Sequence, residues 1–236
     1  ENTMGSTLVG EEHFETIGDA IRAYAGEKPQ GNDVVLTINS KIQRTAEGVL
    51  YGQKGACVVL DTATGAVLAE ASTPTYDNNN VESILTGSSL SSEGTLVNRA
   101  TQTLYAPGST FKIVTLASAI EADPNVLSQK FLCSGSWDYE GGTIVCAGGA
   151  VHGEVDLVTA FTKSCNITFG KLAYQLGVER LRATAENFGF NENFKFGDFM
   201  IYNSVFPESV KNVGGLVWAG VGQGEVLALS LIHISE

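Results

Sequence analysis

Apolar and polar positions change period several times along this 236-residue chain. Residues 1–32 are polar and Gly-rich and read as a lead-in, with one helical patch near Phe14 to Tyr24. Asp33 to Asn39 then carries Val34, Val35, Leu36 and Ile38, a composition that predicts a strand. Behind Ser40, a capping residue type, Ile42, Ala46, Val49 and Leu50 recur at helical spacing, and Gly52 and Gly55 end that helix. Ala56 to Leu60 is nearly all apolar, which suits a strand covered on both faces. It joins Ala66 to Ala71 through Asp61-Thr62-Ala63-Thr64-Gly65, so the two runs predict a β-hairpin.

Residues 73–104 are loop chemistry, with Asn78 to Asn80 and a Ser/Gly cluster from Thr86 to Gly94. After Pro107 and Gly108 a helix is predicted from Ser109 to Ile120. Ile113, Leu116 and Ile120 fall near one side, and Phe111, Val114 and Ala117 cover the others, so this helix is predicted to be buried. Asp123-Pro124 breaks the chain, and residues 131–153 are Gly-rich with strand-like scraps. Asp156 caps a further helix, which Ser164-Cys165-Asn166 interrupts and Gly177 and Gly189 punctuate. Residues 190–213 read as irregular, and Val217 to Gly224 as a Gly-rich turn. Helix, hairpin and buried helix in that order predict an α+β domain, an antiparallel sheet with helices packed on it.

Composition narrows the function classes. The net charge of −12, from 14 basic against 26 acidic side chains, argues against nucleic acid and anionic lipid as partners. No apolar run is long enough to span a bilayer, and Glu1 opens the chain without a basic flank, so any membrane anchor is expected upstream. Cys57, Cys133, Cys146 and Cys165 contain no C-x-x-C pair, so no metal site and no cofactor are expected. Cys57 reads as a buried small hydrophobe; Cys133 and Cys146 bracket a Gly-rich loop, as a disulfide or as two free thiols. His152, alone among glycines, reads as structural or exposed.

The candidate chemistry lies at Pro107-Gly108-Ser109-Thr110-Phe111-Lys112. On a helix, Ser109 and Lys112 share a face. A lysine inside an apolar run is anomalous, because lysines are rarely buried without a partner. A desolvated ammonium loses its proton more readily, and a neutral lysine beside a hydroxyl can activate a serine nucleophile. Helix N-terminal N–H groups could receive an oxyanion. The plain alternatives are a capping serine and a snorkelling lysine. Downstream, Ser164 and Asn166 are two residues apart, and a non-helical turn can aim a hydroxyl and an amide together.

With these motifs in hand, the chain resembles the transpeptidase domain of monofunctional penicillin-binding proteins over roughly residues 33–228. The resemblance rests on Leu36-Thr37-Ile38-Asn39 with Gln43, Val59-Leu60-Asp61 through Gly65 to Ala69, Asn98-Arg99-Ala100, and Tyr105 through Lys112. His152-Gly153, Ser164-Cys165-Asn166 and Gly222-Gln223-Gly224 complete it. It implies a penicillin-binding/serine β-lactamase-like fold, with helices on both faces of the sheet. The implied activity is serine D,D-transpeptidation of peptidoglycan stem peptides. Ser109 would be the nucleophile and Lys112 its base, Ser164 would relay a proton and Asn166 would orient the substrate. β-Lactams would acylate Ser109. The implied location is the extracytoplasmic face of a bacterial membrane, among division or elongation complex proteins. Rival readings are a serine β-lactamase, a β-lactam-binding sensor domain and an inert scaffold.

The chain also departs from the family. A Lys-(Ser/Thr)-Gly strand is expected after Gly222-Gln223-Gly224 and does not occur before Glu236. Residues 229–236 match one reading frame of a transposase-based sequencing adapter. They are expected to be an adapter-derived tail, with His233 neither ligand nor base. The expected organisation is therefore 1–32 lead-in, 33–228 partial transpeptidase domain lacking its C-terminal strands, and 229–236 tail. A sheet lacking those strands would expose an unpaired edge beside the hairpin and favour insoluble expression.

Overall fold

A computed structural model of the chain describes residues 4–9, 16–26, 31–86, 94–196, 199–210 and 212–229. Two short helices, α1 (Gly5–Val9) and α2 (Ile17–Tyr24), occupy the lead-in; Phe14 lies outside the described residues. Residues 31–39 are extended but form no strand, and Val35 and Leu36 are 92% and 70% exposed. The reason lies in the neighbouring helix α3 (Ser40–Val49). Its Gln43 side chain accepts from the Glu70 N–H and donates to the Glu70 carbonyl, taking the backbone positions that another strand would need. Toward β2, the Thr37 hydroxyl donates to the Val67 carbonyl and the Asn39 N–H to the Leu68 carbonyl, one bond each. Asn39 rather than Ser40 caps α3, because its carboxamide oxygen accepts the N–H groups of both Lys41 and Ile42.

The hairpin forms as expected, with β1 (Gly55–Leu60) antiparallel to β2 (Val67–Thr73). The Asp61 carboxylate accepts N–H bonds from Ala63 and Thr64, and these hold its pKa below the usual carboxylate value. Ala46 and Leu50 of α3 bury against Ala69 and Ala71 of β2. On the other face Glu70 and Ser72 bond Asn98 and Arg99. Every residue of β1 is nevertheless only half-buried, Cys57 included, where the apolar run predicted a buried strand.

After α4 (Val81–Leu85), the short α5 (Arg99–Gln102) is capped by Asn98 and followed by β3 (Leu104–Tyr105). Most of the Ser/Gly cluster before Gly94 lies outside the described residues. A 3-10 turn at Gly108–Phe111 leads into α6 (Lys112–Ala122), so Ser109 sits one turn before the α-helix proper. α6 is not buried all round: Ile113 is 50% exposed, while Lys112 is buried. Strands β4 (Lys130–Cys133) and β7 (Gly153–Asp156) pair, as do β5 (Ser136–Tyr139) and β6 (Gly142–Val145). Asp156 caps α7 (Leu157–Thr162), and α8 (Asn166–Asn187) continues through a single non-helical residue, Gly177. Two-residue strands β8 (Lys195–Phe196) and β9 (Phe199–Met200) pair in the stretch read as irregular.

The Gly-rich segment at 217 begins as a helix, α9 (Val213–Ala219). Asn212 caps it by accepting from the Gly215 N–H, and the Thr115 hydroxyl ties its end down at the Gly220 carbonyl. Finally β10 (Ala228–Leu229) pairs with β3. Leu229, assigned to the tail, is buried and donates its N–H to the Ser204 hydroxyl; residues 230–236 lie outside the described residues. The described strands form five antiparallel pairs, in an α+β arrangement whose largest buried cluster joins α6, α8 and α9 to β4, β6 and β7.

Candidate active site

The site begins with two glycines in close approach. Gly222 follows α9 with φ +73°, and its carbonyl accepts the Gly108 N–H at 2.8 Å. This contact presses the 222–224 segment onto the turn that carries Ser109. Phe111, on the same turn, is buried edge-on to Phe190 and stacked on Phe206, with centroids at 5.4 and 5.8 Å. Aromatic pairs of this kind add roughly 0.5–1.5 kcal/mol each beyond burial. The turn is therefore held from both sides, and Ser109 is left exposed above it.

Lys112 points inward from the first residue of α6. Its Nζ lies 2.9 Å from Ser109 Oγ, 2.9 Å from Ser164 Oγ, 3.0 Å from the Ser164 carbonyl and 2.7 Å from Asn166 Oδ1. The Ser164 hydroxyl also donates to Ser109 Oγ at 2.9 Å. The four residues expected from the sequence are thus brought together within one hydrogen-bonded cluster. An ammonium has three protons, so it cannot serve all four oxygens at once. The neutral amine, by contrast, can accept the Ser109 proton. Burial drives Lys112 toward that form, to a pKa of about 8, while the Cys146 and Cys165 thiols oppose the shift.

The Ser164–Asn166 turn has its own cost. Ser164 has φ +53°, a left-handed conformation that costs a non-glycine residue roughly 1–3 kcal/mol. The backbone bonds from Ser164 to Phe161 and from Cys165 to Ala160 hold it there. Asn166 is oriented by donating its Nδ2 to the Val145 carbonyl at 2.9 Å. The arrangement places an exposed hydroxyl, a buried amine, a second hydroxyl and an oriented carboxamide at one opening. Such a set suits acyl transfer, with proton transfer between the three heteroatoms.

Other residues were not assigned to the site from the sequence. The Val145 carbonyl is invisible in a sequence because any residue supplies one. Cys133 and Cys146, read as a disulfide or two free thiols, are free, and with Cys165 and His152, read as structural or exposed, they converge behind the turn with their sulfur and nitrogen atoms within 4.8 Å of one another. Away from this cluster, Asn98 donates to the Glu70 carboxylate at 2.6 Å and buried Arg99 donates to the Gly94 carbonyl, so the Asn98-Arg99-Ala100 stretch is tied to β2 and to the preceding turn.

Known proteins resemble this chain in sequence and in fold. The family model "Penicillin binding protein transpeptidase domain" matches residues 55–235. The peptidoglycan D,D-transpeptidase MrdA of Escherichia coli is 33% identical over 194 residues, covering 79% of this chain and 31% of that protein. The peptidoglycan D,D-transpeptidase PbpA of Mycobacterium tuberculosis is 35% identical over 188 residues, covering 71% and 38%. The chain thus spans about a third of the length of these relatives. Among solved structures, the ceftriaxone acyl-enzyme of penicillin-binding protein A from M. tuberculosis superposes with a TM-score of 0.86 at 28% identity. It covers 99% of this chain and 56% of that one. The D,D-transpeptidase domain of a peptidoglycan glycosyltransferase from Eggerthella lenta gives 0.76 at 40% identity, covering 86% and 50%. With a family match across most of its length and relatives above 30% identity, this chain belongs to the penicillin-binding protein transpeptidase family.

Proposed function

We propose that this chain carries the acyl-transfer centre of a serine D,D-transpeptidase that cross-links peptidoglycan stem peptides and is acylated by β-lactams. The observation that supports it most is the buried Lys112 amine at 2.9 Å from the exposed Ser109 hydroxyl. Ser109 Oγ attacks the carbonyl between the two terminal D-alanines while its proton passes to Lys112 Nζ. The tetrahedral adduct collapses, and the departing amine takes a proton relayed through Ser164. Asn166 holds the substrate amide. The acyl ester is then cleaved by an amine of a neighbouring stem, which forms the new amide and returns the proton to Ser109.

Within this reading, residues 33–228 are the transpeptidase portion and 1–32 its lead-in. The protein acts at the extracytoplasmic face of the membrane, held by an anchor outside this chain and working with division or elongation complex proteins. Among the described residues no helix is long and apolar enough to cross a membrane.

The test is peptide mapping of the full-length gene product after reaction with a labelled penicillin. The adduct is expected on the peptide containing Ser109; an adduct on any other residue rejects the assignment. The pH dependence is a second check. The base is neutral Lys112, whose pKa lies at about 8. Acylation should therefore be slow below that pH, rise as pH increases through it and level off above. A rate that falls with pH across the same range would exclude Lys112 as the base.

A further inference from the structure

The segment that presses on the nucleophile's turn carries a side chain with no role in the acyl-transfer steps above. Gly222 and Gly224 both have left-handed backbones, at φ +73° and +74°, so the chain turns sharply on each side of Gln223. The Gln223 N–H donates to the Trp218 carbonyl at 3.0 Å, and the Gly222 carbonyl accepts the Gly108 N–H at 2.8 Å. The backbone is thus fixed, while the Gln223 side chain is exposed. Its Nε2 lies 3.5 Å from where a Cβ on Gly108 would stand, one residue from Ser109. Among the described residues this carboxamide has no hydrogen-bond partner. It therefore presents two donor protons and an acceptor oxygen beside the nucleophile.

Another glutamine of this molecule shows what such a group can hold. Gln43 donates Nε2 to the Glu70 carbonyl at 2.8 Å and accepts the Glu70 N–H at Oε1 at 2.9 Å. In extended backbone the N–H and C=O of one residue point to the same side, so one carboxamide spans both. An extended stem peptide offers the same pair at each such residue. Its scissile bond is its last peptide bond, so every further peptide group lies on the acyl side. Consecutive α-carbons are about 3.8 Å apart, and an extended peptide advances about 3.3–3.6 Å per residue. A carboxamide over Gly108 is thus within one or two residues of the attacked carbonyl.

We propose that Gln223 is a specificity-determining residue that clasps the stem residue preceding the terminal D-alanine pair, Nε2 donating to its carbonyl and Oε1 accepting its N–H. This assignment rests on the transpeptidase reading. Asn166 holds the amide that joins that residue to the pair, and a carbonyl with two lone pairs can accept from both carboxamides. The N–H is what Gln223 adds. A simple penicillin supplies the carbonyl, in its acylamino side chain, but no N–H at the next position. Gln223 therefore separates a peptide donor from an ordinary β-lactam.

The test compares two penicillins on the full-length gene product. One carries an N-acetylglycyl side chain, which has the N–H. The other carries an acetoxyacetyl side chain of the same shape, with an ester oxygen in its place. Covalent attachment at Ser109 is followed by mass. The wild type should react with the first about 10-fold faster in second-order rate, the effect of one hydrogen bond against an acceptor left unpaired. Gln223→Leu should bring this ratio close to one. Gln223→Glu, which keeps an acceptor oxygen, should preserve the preference. The ratio is taken within each protein, so a general loss of fold or of nucleophile does not imitate the effect. A wild-type ratio near one overturns the proposal, and so does an undiminished ratio in Gln223→Leu. Failure of both penicillins to label Ser109 rejects the transpeptidase reading instead, and the assignment of Gln223 falls with it.

Discussion

Replacing Lys112 with alanine in the full-length protein should slow acylation by a labelled penicillin by roughly 10²–10⁴-fold, the contribution of a positioned general base. Ser109→Ala should remove the label altogether. The argument for the lysine is geometric before it is electrostatic. Nζ is buried among four oxygens, within 3.0 Å of each, and one of them belongs to the exposed Ser109 hydroxyl. The same four contacts could instead be structural, with a cation merely satisfying buried oxygens. Lys112→Arg separates the two roles. A guanidinium keeps the charge and adds donors, but it does not give up a proton in a protein. A structural role predicts that arginine restores the rate; a base predicts that Lys112→Arg is as slow as Lys112→Ala. Thermal melts of both variants show whether folding was spared. Near-normal acylation in either variant would remove Lys112 from the mechanism.

The parts of this site that were legible in the sequence are those where local geometry decides. Ser109 and Lys112 are three residues apart on a turn that Pro107 and Gly108 open, so their proximity follows from backbone spacing. The lysine announced itself because it interrupts an apolar run. Ser164 and Asn166 were legible only through family resemblance, since two polar residues at that spacing carry little information. What brings them to Lys112 is the long-range packing of α6 against α8.

Misreadings elsewhere have physical causes. The run at 33–39 has strand composition, but Gln43 already holds the Glu70 backbone groups on β2, so no ladder forms. Strand propensity describes a fit to a pleated, half-buried surface, and this run has none to fit. Helix α9 was hidden by Gly214 and Gly215 in its first turn. There the glycine at 214 leaves room for the Tyr139 ring, whose hydroxyl would lie 3.2 Å from a Cβ. The thiol and imidazole cluster was hidden for a different reason. Its members come from four separate parts of the chain that only the pairing of β4 with β7 and the docking of α8 bring together, and no short motif encodes that.

Gly222→Ala should destabilise the protein by about 2–5 kcal/mol, combining a left-handed backbone cost of about 1–2 kcal/mol with an overpacking cost of about 1–3 kcal/mol. A Cβ at this position would lie 2.0 Å from the Gly108 carbonyl oxygen and 2.7 Å from Phe111 Cβ, at φ +73°. Neither neighbour can yield cheaply. Gly108 is bonded back to Gly222 at 2.8 Å, and the Phe111 ring is wedged between Phe190 and Phe206. Relief would have to come from lifting the 222–224 segment off the Ser109 turn, so acylation should slow together with the loss of stability. Gly224→Ala is the matched control. It has φ +74° but nothing within 4 Å of the added Cβ, so it should cost only the left-handed conformational term. Denaturant midpoints of the two variants separate the contributions, because backbone strain is common to both and the steric clash belongs to one. If Gly222→Ala proves no less stable than Gly224→Ala, the close approach at Gly108 does not hold the nucleophile's turn in place.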